Sequence, residues 1–225
     1  MRKQVLRYAL IPFLIVEAVL GVCIHTVSPA YLYSYISIVL AALFCLALYE
    51  RTTSWLFTQV GLLFTLGADF FLVVLASHHT VAMLLFSVAQ LSYAARLALA
   101  ASPRERRVGL ISRATVSLLA VGLTVIVLGK NTDALAVVSL FYFANLIVNA
   151  VIATVKWRSS PLLAIGFWLF ILCDVFVGFS MLGGYLPLAD NAFLSFLAAP
   201  PINMAWVFYL PSQVLISLST LKTQK

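Results

Sequence analysis

The chain is short of charge. Only 9% of its 225 residues are charged, and just seven are Asp or Glu. It is short of cysteine as well: Cys23, Cys45 and Cys173 all sit inside apolar runs. That pattern excludes a disulfide scaffold and reads as buried free thiols. There is no CxxC pair, no Gly-rich phosphate loop and no Ser-centred elbow. Redox, nucleotide-binding and serine-hydrolase readings therefore have no residues to carry them. His25, His78 and His79 fall at the ends of apolar runs. Adjacent His78 and His79 point in different directions, and Asp69 lies roughly 13 Å along its helix from His78, so no metal site is expected.

What the chain has in excess is apolar sequence. It is 64% hydrophobic with a mean hydropathy of +1.09. No soluble domain of this size needs so much apolar surface, so an all-α integral membrane protein is expected. Eight apolar runs reach spanning length, over about residues 5–25, 31–49, 55–75, 80–100, 110–129, 133–155, 161–182 and 203–221. Residues 1–225 form a single transmembrane domain on this reading. The net charge of +7 taken alone would suit nucleic acid, but its distribution points elsewhere. Both ends and the even-numbered loops with their flanks hold Arg2, Lys3, Arg7, Arg51, Arg96, Arg104, Arg106, Arg107, Arg113, Lys156, Arg158, Lys222 and Lys225, whereas the odd-numbered loops hold only Lys130. The positive-inside rule then places both termini in the cytoplasm, and no nucleic-acid partner is expected.

Against this background the carboxylates stand out. Asp69, in Gly67-Ala68-Asp69-Phe70-Phe71-Leu72, interrupts a membrane-length apolar run, and Asp174, in Phe170-Ile171-Leu172-Cys173-Asp174, does the same. An ionisable group at the centre of a span costs at least about 2.5–3.5 kcal/mol and is a functional-site hypothesis by default. The surroundings echo each other. Asp69-x-Phe71 is followed by Phe86-x3-Gln90, and Asp174-x-Phe176 by Tyr209-x3-Gln213. Four spans separate the copies, so two parallel four-helix repeats are expected, about 5–100 and 110–221, with the carboxylates at equal depth. Rise per residue puts Glu17 in the same layer.

Polar side chains recur at helical spacing: Tyr142, Asn145 and Asn149 on the sixth span, Gln90, Tyr93 and Arg96 on the fourth, Tyr209 and Gln213 on the eighth. Polar groups in hydrocarbon face the bundle interior, so these stripes are expected to converge with Asp69, Asp174 and Glu17 on one chamber. Between the last two spans, residues 183–202 contain a short capped apolar helix, Asp190 to Leu197, which reads either as a lid over a lipid entrance or as a hydrophobic plug.

The segments quoted around Asp69 and Asp174, together with Phe86-Ser87-Val88-Ala89-Gln90-Leu91-Ser92-Tyr93 and Tyr209-Leu210-Pro211-Ser212-Gln213-Val214-Leu215-Ile216, resemble the YhhN family of eight-span membrane proteins. That family includes lysoplasmalogenases, which cleave a vinyl ether bond to release an aldehyde. The resemblance implies a hydrolase in a bacterial cell (inner) membrane that takes a lysophospholipid from the bilayer and needs no cofactor. Asp69 and Asp174 would be its catalytic pair. Gln90, Tyr93, Tyr142, Asn145, Asn149, Tyr209, Gln213 and Glu17 would surround the substrate. The competing expectation is a small proton-coupled transporter or lipid-binding membrane protein, since intramembrane carboxylates in parallel repeats serve transport equally well.

Overall fold

In the computed structural model the described residues are 2–48, 52–186 and 191–221, with side chains described from Tyr8 onward. Arg51, Pro187, Asp190, Lys222 and Lys225 lie outside the described residues, as do the side chains of Arg2, Lys3 and Arg7. Among the described residues every regular element is helical. The elements are α1 (Arg2–Thr26), α2 (Ala30–Ala47), α3 (Thr53–Asp69), a π-helical turn (Phe70–Val74), α4 (His79–Leu99), α5 (Pro103–Leu128), α6 (Ala134–Val155), α7 (Pro161–Leu182), α8 (Ala192–Ala198) and α9 (Met204–Leu218). Seven of these segments, α1 to α7, are long and apolar enough to cross a bilayer. The chain is thus a membrane protein. α9, with 15 described residues, is shorter.

Local sequence sets most boundaries. Thr52 caps α3 by accepting from the Trp55 N–H, and Asp133 caps α6 through the Ala136 N–H. α5 begins with a full capping box, in which the Ser102 hydroxyl accepts from Glu105 N–H and the Glu105 carboxylate accepts from Ser102 N–H, with Pro103 in the first turn. This start lies seven residues before the 110 expected from hydropathy, because three arginines in the first turns mask a helix that the caps define. Arg113 is therefore in the third turn of α5, half-buried, with its guanidinium bonded to α6. In the 183–202 stretch the helix is α8, capped by the Asn191 side chain accepting from Phe193 N–H.

Helices neighbouring in sequence pack on each other: α1 with α2, α2 with α3, α3 with α4, α5 with α6 and α6 with α7. Three further contacts close the bundle, α4 on α6 and α9 on both α2 and α7. Lipid tails are as apolar as leucine, so close fit and interhelical hydrogen bonds hold such helices together. Gly166 lets α9 approach α7, where the Ser212 hydroxyl donates to Gly166 O at 2.8 Å. The Ser217 hydroxyl donates to Ala41 O at 2.9 Å and ties α9 to α2. Gly61 makes room for the fully buried ring of Tyr93. The main core runs through α2, α3, α4, α6, α7 and α9, and a smaller one joins α1, α2 and α9 with Phe13 stacked on Phe44 at 4.0 Å. Cys45 and Cys173 are buried free thiols, and Cys23 is a half-buried one.

Candidate active site

Asp69 is the last residue of α3, and the π-helical turn begins directly after it. The Leu75 N–H reaches back to Phe70 O rather than to residue 71. A π turn inserts one extra residue into the helix, widens it locally and re-aims side chains, and such turns concentrate at functional sites. Asp69 is only 3% exposed. Its Oδ2 accepts a hydrogen bond from the Tyr209 hydroxyl of α9 at 2.6 Å. Asp174, in the middle of α7, has a matching partner. Its Oδ2 accepts from the Tyr142 hydroxyl of α6 at 2.5 Å. Each carboxyl thus comes from one helix and its phenol from another.

Both carboxyls line a single cavity of about 560 Å³. Its wall is mostly apolar, from Leu72, Met83, Phe86, Leu140, Phe143 and Trp206 among others. Asp69 is buried, whereas Asp174 is half-buried. Aromatic rings join the two pairs: Phe170 lies 5.1 Å from Tyr209 and 6.2 Å from Tyr142, and Phe86 stacks on Tyr142 at 5.3 Å. The lining residues come from the C-terminal parts of α3 with its π turn, α5 and α7 and from the N-terminal parts of α4, α6 and α9. They therefore occupy one end of the bundle. The basic side chains of Arg96, Arg106 and Lys156 sit at the other end, where Arg106 and Lys156 reach the last carbonyls of α4.

The structure separates what the spacing grouped. Asp69, Asp174, Tyr142 and Tyr209 meet at the cavity. Gln90, Asn145 and Asn149 do not line it. They form a second polar cluster towards the basic end, with Asn149 Nδ2 donating to both the Gln90 carbonyl and its Oε1, and Arg113 donating to Asn149 Oδ1 at 2.6 Å and Asn145 Oδ1 at 3.4 Å. The reason is axial: Asn145 and Asn149 follow Tyr142 by one and two turns, about 4.5 and 10 Å along α6. Tyr93 is buried against Phe167, 5.5 Å between ring centres, and Gln213 is buried with no hydrogen-bond partner among the described residues. Neither borders the cavity. Glu17 is buried in the α1–α2 seam, its Oε2 accepting from the Ser37 hydroxyl at 2.6 Å, also away from the cavity. α8 does not line the cavity either. Its Phe196 packs edge-on against Phe176 of α7.

The cavity also contains residues that spacing did not single out. His79, the first residue of α4, lines it, as does Tyr185, whose hydroxyl donates to Asp133 at 3.0 Å. His79 was set aside as a loop-end residue. The signal that could have found it is its ten-residue separation from Asp69 across a tight turn, where His78 and Ala76 adopt positive φ and bring α4 back over the end of α3.

Residues 30–220 match the family model of the YhhN family. The chain belongs to the YhhN family. No curated protein and no solved structure matches it significantly. The match runs from the start of α2 to just beyond α9, so the region shared with the family contains Asp69, Asp174 and both of their tyrosine partners, while α1 with Glu17 lies outside it.

Proposed function

We propose that this YhhN-family protein is a membrane-embedded lysoplasmalogenase-like hydrolase that cleaves the vinyl ether bond of lysoplasmalogens with Asp69 and Asp174. The observation that carries the reading is the pair of carboxyls, each held by a tyrosine hydroxyl, on the wall of one apolar cavity. An alkenyl chain fits such a wall, and the carboxyls are its main ionisable features. The proposed substrate is a lysophospholipid entering from the bilayer, and the products are a fatty aldehyde and glycerophosphoethanolamine or glycerophosphocholine. No cofactor enters the scheme.

Two carboxyls in a low-dielectric site do not both ionise cheaply, so one holds its proton while the other stays charged. The neutral Asp transfers its proton to the distal alkenyl carbon, leaving an oxocarbenium-like cation on the ether carbon. The charged Asp steadies that cation and takes a proton from the attacking water. The resulting hemiacetal collapses to the aldehyde and the glycerol hydroxyl: the proton gained by the base is delivered to the leaving oxygen, while the hemiacetal hydroxyl gives its proton to the Asp that protonated the carbon, which restores both groups. The division of labour parallels that of inverting glycosidases, by analogy. Tyr142 and Tyr209 orient the two carboxyls through their hydrogen bonds.

The location of the cavity at one end of the bundle favours a hydrolase over a transporter, since transport needs alternate openings at both ends. In this proposal α9 completes an eight-span bundle. The exchange of contacts, α4 on α6 and α9 on α2, fits two parallel repeats. The basic end faces the cytoplasm of a bacterial inner membrane. The test is incubation of purified protein with lysoplasmalogen and with ester lysolipids, followed by detection of free fatty aldehyde. Aldehyde from the vinyl ether alone is expected. Fatty acid from the ester would change the bond cleaved. Neither product, with proton-coupled uptake in vesicles, would replace the hydrolase with a transporter.

A further inference from the structure

Arg113 is a guanidinium on a spanning helix whose hydrogen bonds go to neutral amides, Asn145 and Asn149. The described carboxylates are all engaged elsewhere: Glu17 with Ser37, Asp69 with Tyr209, Glu105 in the α5 cap, Asp133 with Tyr185 and Asp174 with Tyr142. A cation at this depth needs a counter-charge.

The surroundings supply donors and little else. The oxygens of Asn145 and Asn149 are taken up by Arg113, and Gln90 Oε1 by Asn149. Asn145 Nδ2 is spent on Ser117 Oγ and Phe141 O. What remains is the spare N–H capacity of Arg113, the hydroxyl hydrogen of Ser117 and the amide nitrogen of Gln90, which is fully buried without a partner among the described residues. A positively charged cluster whose spare groups are donors is complementary to an oxyanion.

The packing leaves a way in. α6 packs broadly on α4 and on α5, but α4 and α5 barely touch each other. α4 and α5 are thus joined mainly through α6, and half-buried Arg113 covers the seam between them, over the buried amides of Asn145 and Asn149. α5 is about 39 Å long, against a hydrocarbon slab of about 30 Å. The surplus puts its first turns, with Arg104 and Arg107, at headgroup level. Arg113 lies about 15 Å along the axis from Pro103, within a side chain's reach of the phosphates of that leaflet.

We propose that the α4–α5 seam is a phospholipid site, in which Arg113 binds the phosphate of a bilayer lipid from the leaflet at the basic end, with Ser117 and Gln90 as the donors behind it. It is distinct from the carboxyl cavity and does not rest on the proposed hydrolysis. The probe is phosphatidylglycerol added to delipidated full-length protein in detergent, read by lipid adducts in native mass spectrometry and by the thermal midpoint. Diacylglycerol is the phosphate-free control, and sn-glycerol 3-phosphate the soluble one. Phosphatidylglycerol alone is expected to be retained and to raise the midpoint. Arg113→Gln should raise the half-saturating lipid concentration about ten-fold or more, the scale of a lost charge-assisted hydrogen bond. Arg104→Gln with Arg107→Gln should change it far less. Ser117→Asp offers an internal counter-charge one turn from Arg113 and should also abolish retention, which keeps the test decisive if Arg113→Gln fails to fold. Equal lipid retention by wild type and either Arg113→Gln or Ser117→Asp would overturn the proposal. Stabilisation by sn-glycerol 3-phosphate equal to that by the lipid would overturn the lipid as occupant.

Discussion

Replacing Asp69 or Asp174 by Asn tests the proposed chemistry with little disturbance of the fold. Asn keeps the shape and an oxygen to accept from the phenol, so the bond from Tyr209 at 2.6 Å or from Tyr142 at 2.5 Å has an acceptor in each variant. What is lost is the proton the acid must give and the negative charge the base must hold. Stability should stay within about 1 kcal/mol of wild type, the net scale of one hydrogen bond. General acid or base catalysis contributes typically about 10²–10⁴-fold, so each variant should lose aldehyde release by at least about 10²-fold. The two groups act as a unit, and the double variant should be little worse than either single one. Glu17→Gln is the control. Its side chain is as buried as Asp69 but bonded to Ser37 and outside the cavity, so its loss should be small. The assay is aldehyde release from lysoplasmalogen by detergent-solubilised protein, with thermal unfolding of each variant alongside. Asp174→Asn retaining wild-type turnover, while folded, would refute the pair mechanism. Multiplicative losses in the double variant would refute action as a unit.

Three other outcomes follow from the same geometry. Tyr209→Phe and Tyr142→Phe each strip a carboxyl oxygen of its donor, costing about 1–3 kcal/mol of stability and slowing turnover without abolishing it; wild-type turnover in both would remove the phenols from the site. Gly61→Ala would drive a methyl into the ring of Tyr93, itself packed on Phe167, and should destabilise by about 1–3 kcal/mol, whereas Gly122→Ala, with open space around it, should be neutral or slightly stabilising; thermal unfolding in detergent compares the two. A reporter fused after Lys225 should be active only in the cytoplasm and one at His78 only outside, and labelling of residue 78 from the cytoplasmic side would invert the topology.

The helical membrane class was legible from composition alone, because the bilayer demands long apolar runs and internally bonded backbone, and α6 and α7 lie almost where hydropathy put them. Asp69 and Asp174 were legible for the same reason: a carboxylate inside such a run has no inexpensive structural explanation. The start of α5 was legible in principle, since Ser102-Pro103-Arg104-Glu105 spells a capping box, yet hydropathy began the span at 110 and counted Arg113 only as a basic residue at its end. Helical spacing put Tyr142, Asn145 and Asn149 on one face, but a face has length. Only the neighbours decided that the first meets Asp174 at the cavity while the other two meet Arg113 and Gln90 further along. Glu17 shows the same limit. Its depth could be counted from the chain, but depth is one coordinate, and the lateral packing of α1 against α2 gave it Ser37 instead of the cavity. One-dimensional sequence carries periodicity and depth along each helix. Which faces oppose one another is settled by the fit of the bundle, by glycines such as Gly61 and Gly166 that let particular helices close, and by the π turn that re-aims the end of α3.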